Sequence, residues 1–199
     1  MMRHRSWSLA LAALPLLLWI TPLRQLLESR MLPHMLVELP LLFIAGWALA
    51  RALGPRARLP AAIDAHGLLG LTWVSAVSAL WMIPSMLDLS LLDIRLQWAK
   101  YLAWLLAGIA ARGSLPRAGA VVGVFFLGNI AWMLATAGLL FQEAPQRLCV
   151  SYLLDEQIVT GQGLVFFAVL IGTLAVRRLP GPISPAKACH ALPAPASAE

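Results

Sequence analysis

The stretch IVTGQGLVFFAVLIGTLAV, residues 158–176, carries no charged side chain. It is about as long as a helix must be to cross a hydrocarbon core of roughly 30 Å. Blocks of the same kind recur on either side of it. They predict spans at Trp7–Leu23, Met31–Ala50, Ala65–Pro84, Arg95–Ala111, Ala118–Phe141 and Ile158–Val176. The fourth is the least uniform, with Lys100 inside it and Arg95 at its edge. No segment alternates apolar and polar residues at period two, as the strands of a membrane barrel would. The expected fold is therefore all-α, a polytopic transmembrane helical bundle of about six spans occupying residues 1–178. Short connections should make sequential helices antiparallel neighbours.

Composition agrees with that reading. Of the 199 residues 60% are apolar and 12% are charged, and the mean hydropathy is +0.80. A water-soluble domain carries about 25% charged residues. The net charge of +6 does not point to nucleic acid, because the basic residues punctuate the apolar blocks instead of massing on one face. The lipid bilayer, with its anionic headgroups, is the expected partner. The opening, Met1-Met2-Arg3-His4-Arg5 and then an apolar run, resembles a secretion signal. Its apolar stretch is longer than a typical signal core, and Ile20-Thr21-Pro22-Leu23-Arg24 follows it in place of a small-x-small site. A retained first span is expected.

Basic residues set the orientation. With the N-terminus inside, the cytoplasmic set is Arg3, Arg5, Arg51, Arg56, Arg58, Arg112, Arg117, Arg177, Arg178 and Lys187, against Arg24, Arg30, Arg95, Lys100 and Arg147 outside. Acidic residues lean outward: Glu28, Asp88, Asp93, Glu143, Asp155 and Glu156. Both termini are then cytoplasmic, in the cell inner (plasma) membrane. Residues 179–199, rich in Pro and Ala, are expected to form a disordered cytoplasmic tail. That tail holds the pair Cys189-His190, a weak metal motif. On this topology Cys149 and Cys189 fall on opposite sides, so no disulfide is expected between them.

Polar residues inside apolar blocks are costly and call for a role. In the second span Met31, His34, Met35 and Glu38 stand at i, i+3, i+4 and i+7, within an arc of roughly 100°. Thioether and imidazole suit Cu(I), and a carboxylate can balance charge. His34, Met31 and Met35 are accordingly the candidate metal ligands. Pro40 cannot donate to the Leu36 carbonyl, so a bend is expected just below the stripe. A simpler reading pairs Glu38 with Lys100, at similar depth, without any metal. Asp155 and Gln157 open the sixth span, where acidic residues also complement the helix dipole. Glu38, Lys100, Asp155 and Gln157 are the candidate polar pocket. Gly119-x-x-x-Gly123 and Asn129 read as helix-packing signals, the amide needing an interhelical partner. Asp64 and His66 read as an interfacial cap, and Trp73, Trp81 and Trp98 as interface anchors.

Two segments resemble the CtaG-like family of cytochrome c oxidase assembly factors. Thr21-Pro22-Leu23 leads to His34-Met35-Leu36-Val37-Glu38-Leu39-Pro40, similar to the family's His-Met-x-x-His helix start. Asp155-Glu156-Gln157-Ile158-Val159-Thr160-Gly161 is similar to its Asp-Gln-Gln motif. By resemblance His34, Met35, Asp155 and Gln157 match motif positions. Glu38 stands where the family has its second histidine, Glu156 stands where it has its first glutamine, and the family usually has seven spans. The resemblance implies a non-enzymatic protein that assists assembly and copper handling of a respiratory cytochrome oxidase. The alternative is a small permease or ion-coupled carrier using Glu38, Lys100 and Asp155. No HExxH, GxSxG or phosphate-binding glycine loop supports an enzyme.

Overall fold

The computed structural model describes residues 20–57, 59–149 and 151–179, together with Ala13, Pro15 and Leu18. Most of the first expected span and nearly all of the expected tail lie outside these residues. The described chain is all-helical, 81% helix with no strand. α1 is Thr21–Glu28. α2 begins at Met31–Pro33, continues through a π-helical segment His34–Glu38, and runs on as Leu39–Leu53. α3 is Leu68–Trp81, α4 Pro84–Leu92, α5 Ile94–Ser114, α6 Ala120–Glu143 and α7 Leu154–Val176.

Three of these helices are long and apolar enough to cross a membrane: α2 extended to Ala57, α6 and α7. α3 and α4 add a fourth if they count as one span, bent by 77°. The bend falls where Ile83 is extended ahead of Pro84, the first residue of α4, because proline disfavours a helical residue before it. So the third expected span, drawn to Pro84, ends as a helix at Trp81. α5 has 21 residues but carries Arg95, Lys100 and Arg112, and it is not among the three.

Pro40 does not break α2. Met31–Ala57 is continuous, and the widened π turn lies just upstream of the proline. In a π segment each N–H bonds the carbonyl five residues back, so the missing Pro40 donor is absorbed by a change of register. The place of the expected bend is marked by this local widening.

The principal partner of α2 is α5, which is not its neighbour in sequence. A Cβ on Gly46 would come within 2.1 Å of the Leu105 carbonyl oxygen, and one on Gly108 within 2.1 Å of that of Phe43. Backbones meet at both places, so only glycine fits. Residue 46 faces 105, residues 43 and 47 face 108, and Arg51 shares a small pocket with Arg112. The two helices therefore run parallel, as alternating antiparallel spans require of the second and fourth. α6 and α7 are antiparallel neighbours, as expected. Their contact is Gly138 against Gly161, where a Cβ on either would lie within 2.7 Å of the other's carbonyl oxygen. Gly119 instead meets nothing within 4 Å, and Gly123 packs against Arg178. Asn129 is exposed and Gly119 lies off the helix–helix seam, whereas Gly123 is buried on the same face of α6 as Gly138.

These pairings sort the charges into two ends. Arg51 and Arg112 line one pocket, Arg178 donates to the Leu115 carbonyl, and Arg117 pairs with Asp64 at 3.2 Å. Asp64 is the organiser of that end: buried, it accepts from the Ser114 hydroxyl at 2.7 Å and the Gly70 amide at 3.1 Å. It thus caps α3 and clamps it to α5. Gly67, at φ +73°, lets the chain pass under Ser114. His66 takes the same left-handed region, at φ 53°, and is exposed. α2, α5 and α7 all begin at the opposite end.

Candidate functional site

At that opposite end lies a buried polar cluster. His34, Glu38 and Lys100 are each 0% exposed. The π segment sets His34 and Glu38 one above the other on α2, and the glycine-lined crossing holds α5 close enough for Lys100 to reach both. The Lys100 ammonium is 2.9 Å from His34 Nε2, 3.1 Å from Glu38 Oε1 and 3.4 Å from Glu28 Oε1. Glu28 enters from the end of α1, half-buried, held by the Gln97 amide of α5 and by Arg24 at 3.6 Å.

Donor counting gives the imidazole its tautomer. An ammonium can only donate, so Nε2 accepts. Nδ1 then carries the hydrogen and donates to the Tyr152 hydroxyl at 2.7 Å, which donates to the Glu28 carbonyl at 3.2 Å. Tyr152 lies in the loop before α7, where burial and then the Glu28 charge push its hydroxyl well above the usual tyrosine range. It remains protonated and able to donate. Burial also raises the Glu28 carboxyl, with Lys100 opposing the rise. Glu38 Oε2 is 3.4 Å from His34 Nε2, but that nitrogen already accepts from Lys100. The Tyr101 hydroxyl reaches toward the Glu38 carboxylate. Even so, no donor meets either Glu38 oxygen in well-aligned hydrogen-bond geometry among the described residues.

Side-chain atoms of Glu28, His34 and Glu38 all lie within 4.8 Å of one another. One imidazole and two carboxylates form a nitrogen–oxygen donor set, which fits copper in its divalent state or another borderline ion better than Cu(I). The buried Glu38 oxygens, poorly matched by their present donors, are what such an ion would satisfy. Met31 and Met35, on the same face of α2, are buried in the adjoining apolar core with Leu39, Leu42 and Tyr152.

The other expected residues fall differently. Glu38 and Lys100 form the ion pair that spacing suggested. Gln157 is buried but holds the α6–α7 connection, accepting from the Leu148 amide and donating to the Phe141 carbonyl. Asp155 stands exposed on the first turn of α7. Glu156 instead reaches the start of α2, accepting from the Met31 amide at 3.3 Å and lying 3.8 Å from Arg30. Trp73 and Trp98 are exposed as interface anchors would be, whereas Trp81 is core. Glu28 and Tyr152 were missed as site residues. Periodicity along one helix cannot register them, since both lie off α2, Glu28 at the end of α1 and Tyr152 in the loop before α7. The available signal was Glu28 itself, an acid in a short connection at the same end as Glu38 and Lys100.

No family model, curated protein or solved structure matches this chain.

Proposed function

We propose that this chain is a non-enzymatic, multi-pass inner-membrane protein of six spans, with both termini cytoplasmic. It assists maturation of a copper-containing respiratory oxidase by holding the metal transiently at the extracytoplasmic end of the bundle. The observation that carries the reading is the convergence of Glu28, His34 and Glu38 in a buried cluster. This cluster is built on the segment whose resemblance to CtaG-like assembly factors is densest. Ion-pairing also makes six spans physically consistent. α5 can cross lipid because Lys100 is wholly enclosed and neutralised by carboxylates, as intramembrane charges require.

The metal here is cargo. His34 would supply its nitrogen, Glu28 and Glu38 their oxygens, and Tyr152 would hold the imidazole ring in register through Nδ1. The test is metal analysis of the purified protein after equilibration with Cu(II). His34→Ala is expected to lose the bound copper, and a strain lacking the protein should show reduced copper-oxidase activity. Unchanged copper stoichiometry in His34→Ala would sink the ligand assignment.

A second reading, an ion-coupled carrier, draws on the buried Glu38–Lys100 pair at 3.1 Å. Below Glu38, however, the buried residues of α2 are Leu39, Leu42, Ala45, Gly46, Ala48 and Ala50, which offer no polar side chain to continue a pathway. Asp155, the third member of that pathway, is exposed. Uptake into sealed vesicles that depends on Glu38 would favour it over the assembly reading.

A further inference from the structure

We infer that Lys100 is a tethered cation that holds the cargo's place: its ammonium occupies the three-ligand site of Glu28, His34 and Glu38, and a free metal ion enters only by displacing it. The inference rests on the metal-handling reading and adds how the site releases what it holds. Three observations carry it. The ammonium lies within 3.4 Å of a ligand atom of all three residues, the central position an ion bound by them would take. It covers His34 Nε2, the one ring nitrogen with a lone pair to give, since Nδ1 is spent on Tyr152. And although it pairs with Glu38 at 3.1 Å, beside the Tyr101 hydroxyl that reaches the same carboxylate, the ammonium makes no well-aligned hydrogen bond to it.

An ion with short, directional bonds would serve that carboxylate better than the flexible amine does. Lys100 is attached by a four-carbon stem and cannot diffuse away. Its competition is intramolecular, with an effective concentration in the millimolar range. Affinity is lowered without loss of any ligand. A displaced ammonium also returns when the metal passes on, so Glu38 and His34 are never left bare in the apolar core. A carrier that must surrender its ion to a client needs weak, refillable binding of this kind.

The test compares copper binding, by competition with a chelator of known affinity, in the full-length wild-type protein, Lys100→Met and Lys100→Arg. Methionine keeps the length of the stem and removes the charge, and Lys100→Leu, which brings no thioether that could itself hold copper, must tighten binding equally for the gain to count. Binding is expected to tighten at least tenfold in Lys100→Met and not to tighten in Lys100→Arg, which keeps the tethered cation. Copper should also raise the Tm of Lys100→Met more than that of the wild type, because the ion replaces the missing charge.

Equal or weaker binding in Lys100→Met would overturn the inference. His34-dependent binding in the wild type would then leave the proposed function standing. Absence of copper from both proteins would end both. Lys100→Met leaves Glu38 uncompensated and can fail to fold. In that event Lys100→Met/Glu38→Gln, with the pair removed together, is compared with Glu38→Gln alone. The double variant should bind more tightly, and equal affinities would refute the competition.

Discussion

Taking one oxygen atom from Tyr152 isolates the first link of the cluster. In Tyr152→Phe the buried Nδ1–H of His34 loses its acceptor, and the Glu28 carbonyl loses a donor. A buried donor left unpaired costs about 1–3 kcal/mol, so the unfolding free energy in detergent should fall by that amount while helix content stays constant. Glu38 is more costly to touch. Glu38→Leu strands Lys100 beside a single, partly exposed carboxylate, and breaking a buried pair from one side costs about 3–5 kcal/mol. Denaturant unfolding of the two variants should rank them in that order.

Cys149 supplies a pH experiment. Burial, and then the charge of Asp88, push its thiol up to about 12. The thiolate is the reactive form, so the folded protein holds Cys149 as an unreactive thiol well above neutrality. In a Cys189→Ala background, maleimide labelling should be slow between pH 7 and pH 9 and become fast on denaturation. Rapid labelling of the folded protein at pH 8 would show the sulfur to be open.

At the scale of elements, the crossing of α2 and α5 is the joint on which the cluster depends. Gly108→Ala places a methyl group 2.1 Å from the Phe43 carbonyl oxygen, and the atom it meets is backbone. The helices must part, at an overpacking cost of about 1–3 kcal/mol. Lys100 moves away from His34 and Glu38 in the same step. Gly119→Ala meets nothing within 4 Å and should leave the Tm unchanged, although Gly119 belongs to the more familiar motif. Asn129 extends the contrast. Its exposed amide contributes no bond to another helix among the described residues, so Asn129→Leu should be neutral or slightly stabilising in thermal unfolding. A loss above about 1 kcal/mol would reveal a partner.

For the whole molecule the decisive quantity is which end faces out. Arg51, Arg112, Arg117 and Arg178 gather at one end, and Glu28, His34, Lys100 and Tyr152 at the other. Positive residues are retained on the cytoplasmic side. In a background free of native cysteines, Ser29→Cys is therefore expected to react with a membrane-impermeant maleimide added to intact spheroplasts. Ala62→Cys should react only after lysis. The reverse pattern would turn the bundle over and put the cluster in the cytosol.

The apolar blocks by themselves determined that the chain is helical and suited to lipid, because hydrocarbon leaves a backbone no hydrogen-bond partners but its own. They also marked His34, Glu38 and Lys100, since charge inside such a block is expensive wherever it lies. Only the tertiary structure decided what those groups do for one another. The parallel pairing of α2 with α5 depends on where two glycines meet carbonyls across the bundle, and period and spacing carry no record of that. The same holds for Glu28 and Tyr152: the end of α1 and the loop before α7 brought them to His34, and the energy that holds them there comes from burial shared among these segments, α2 and α5.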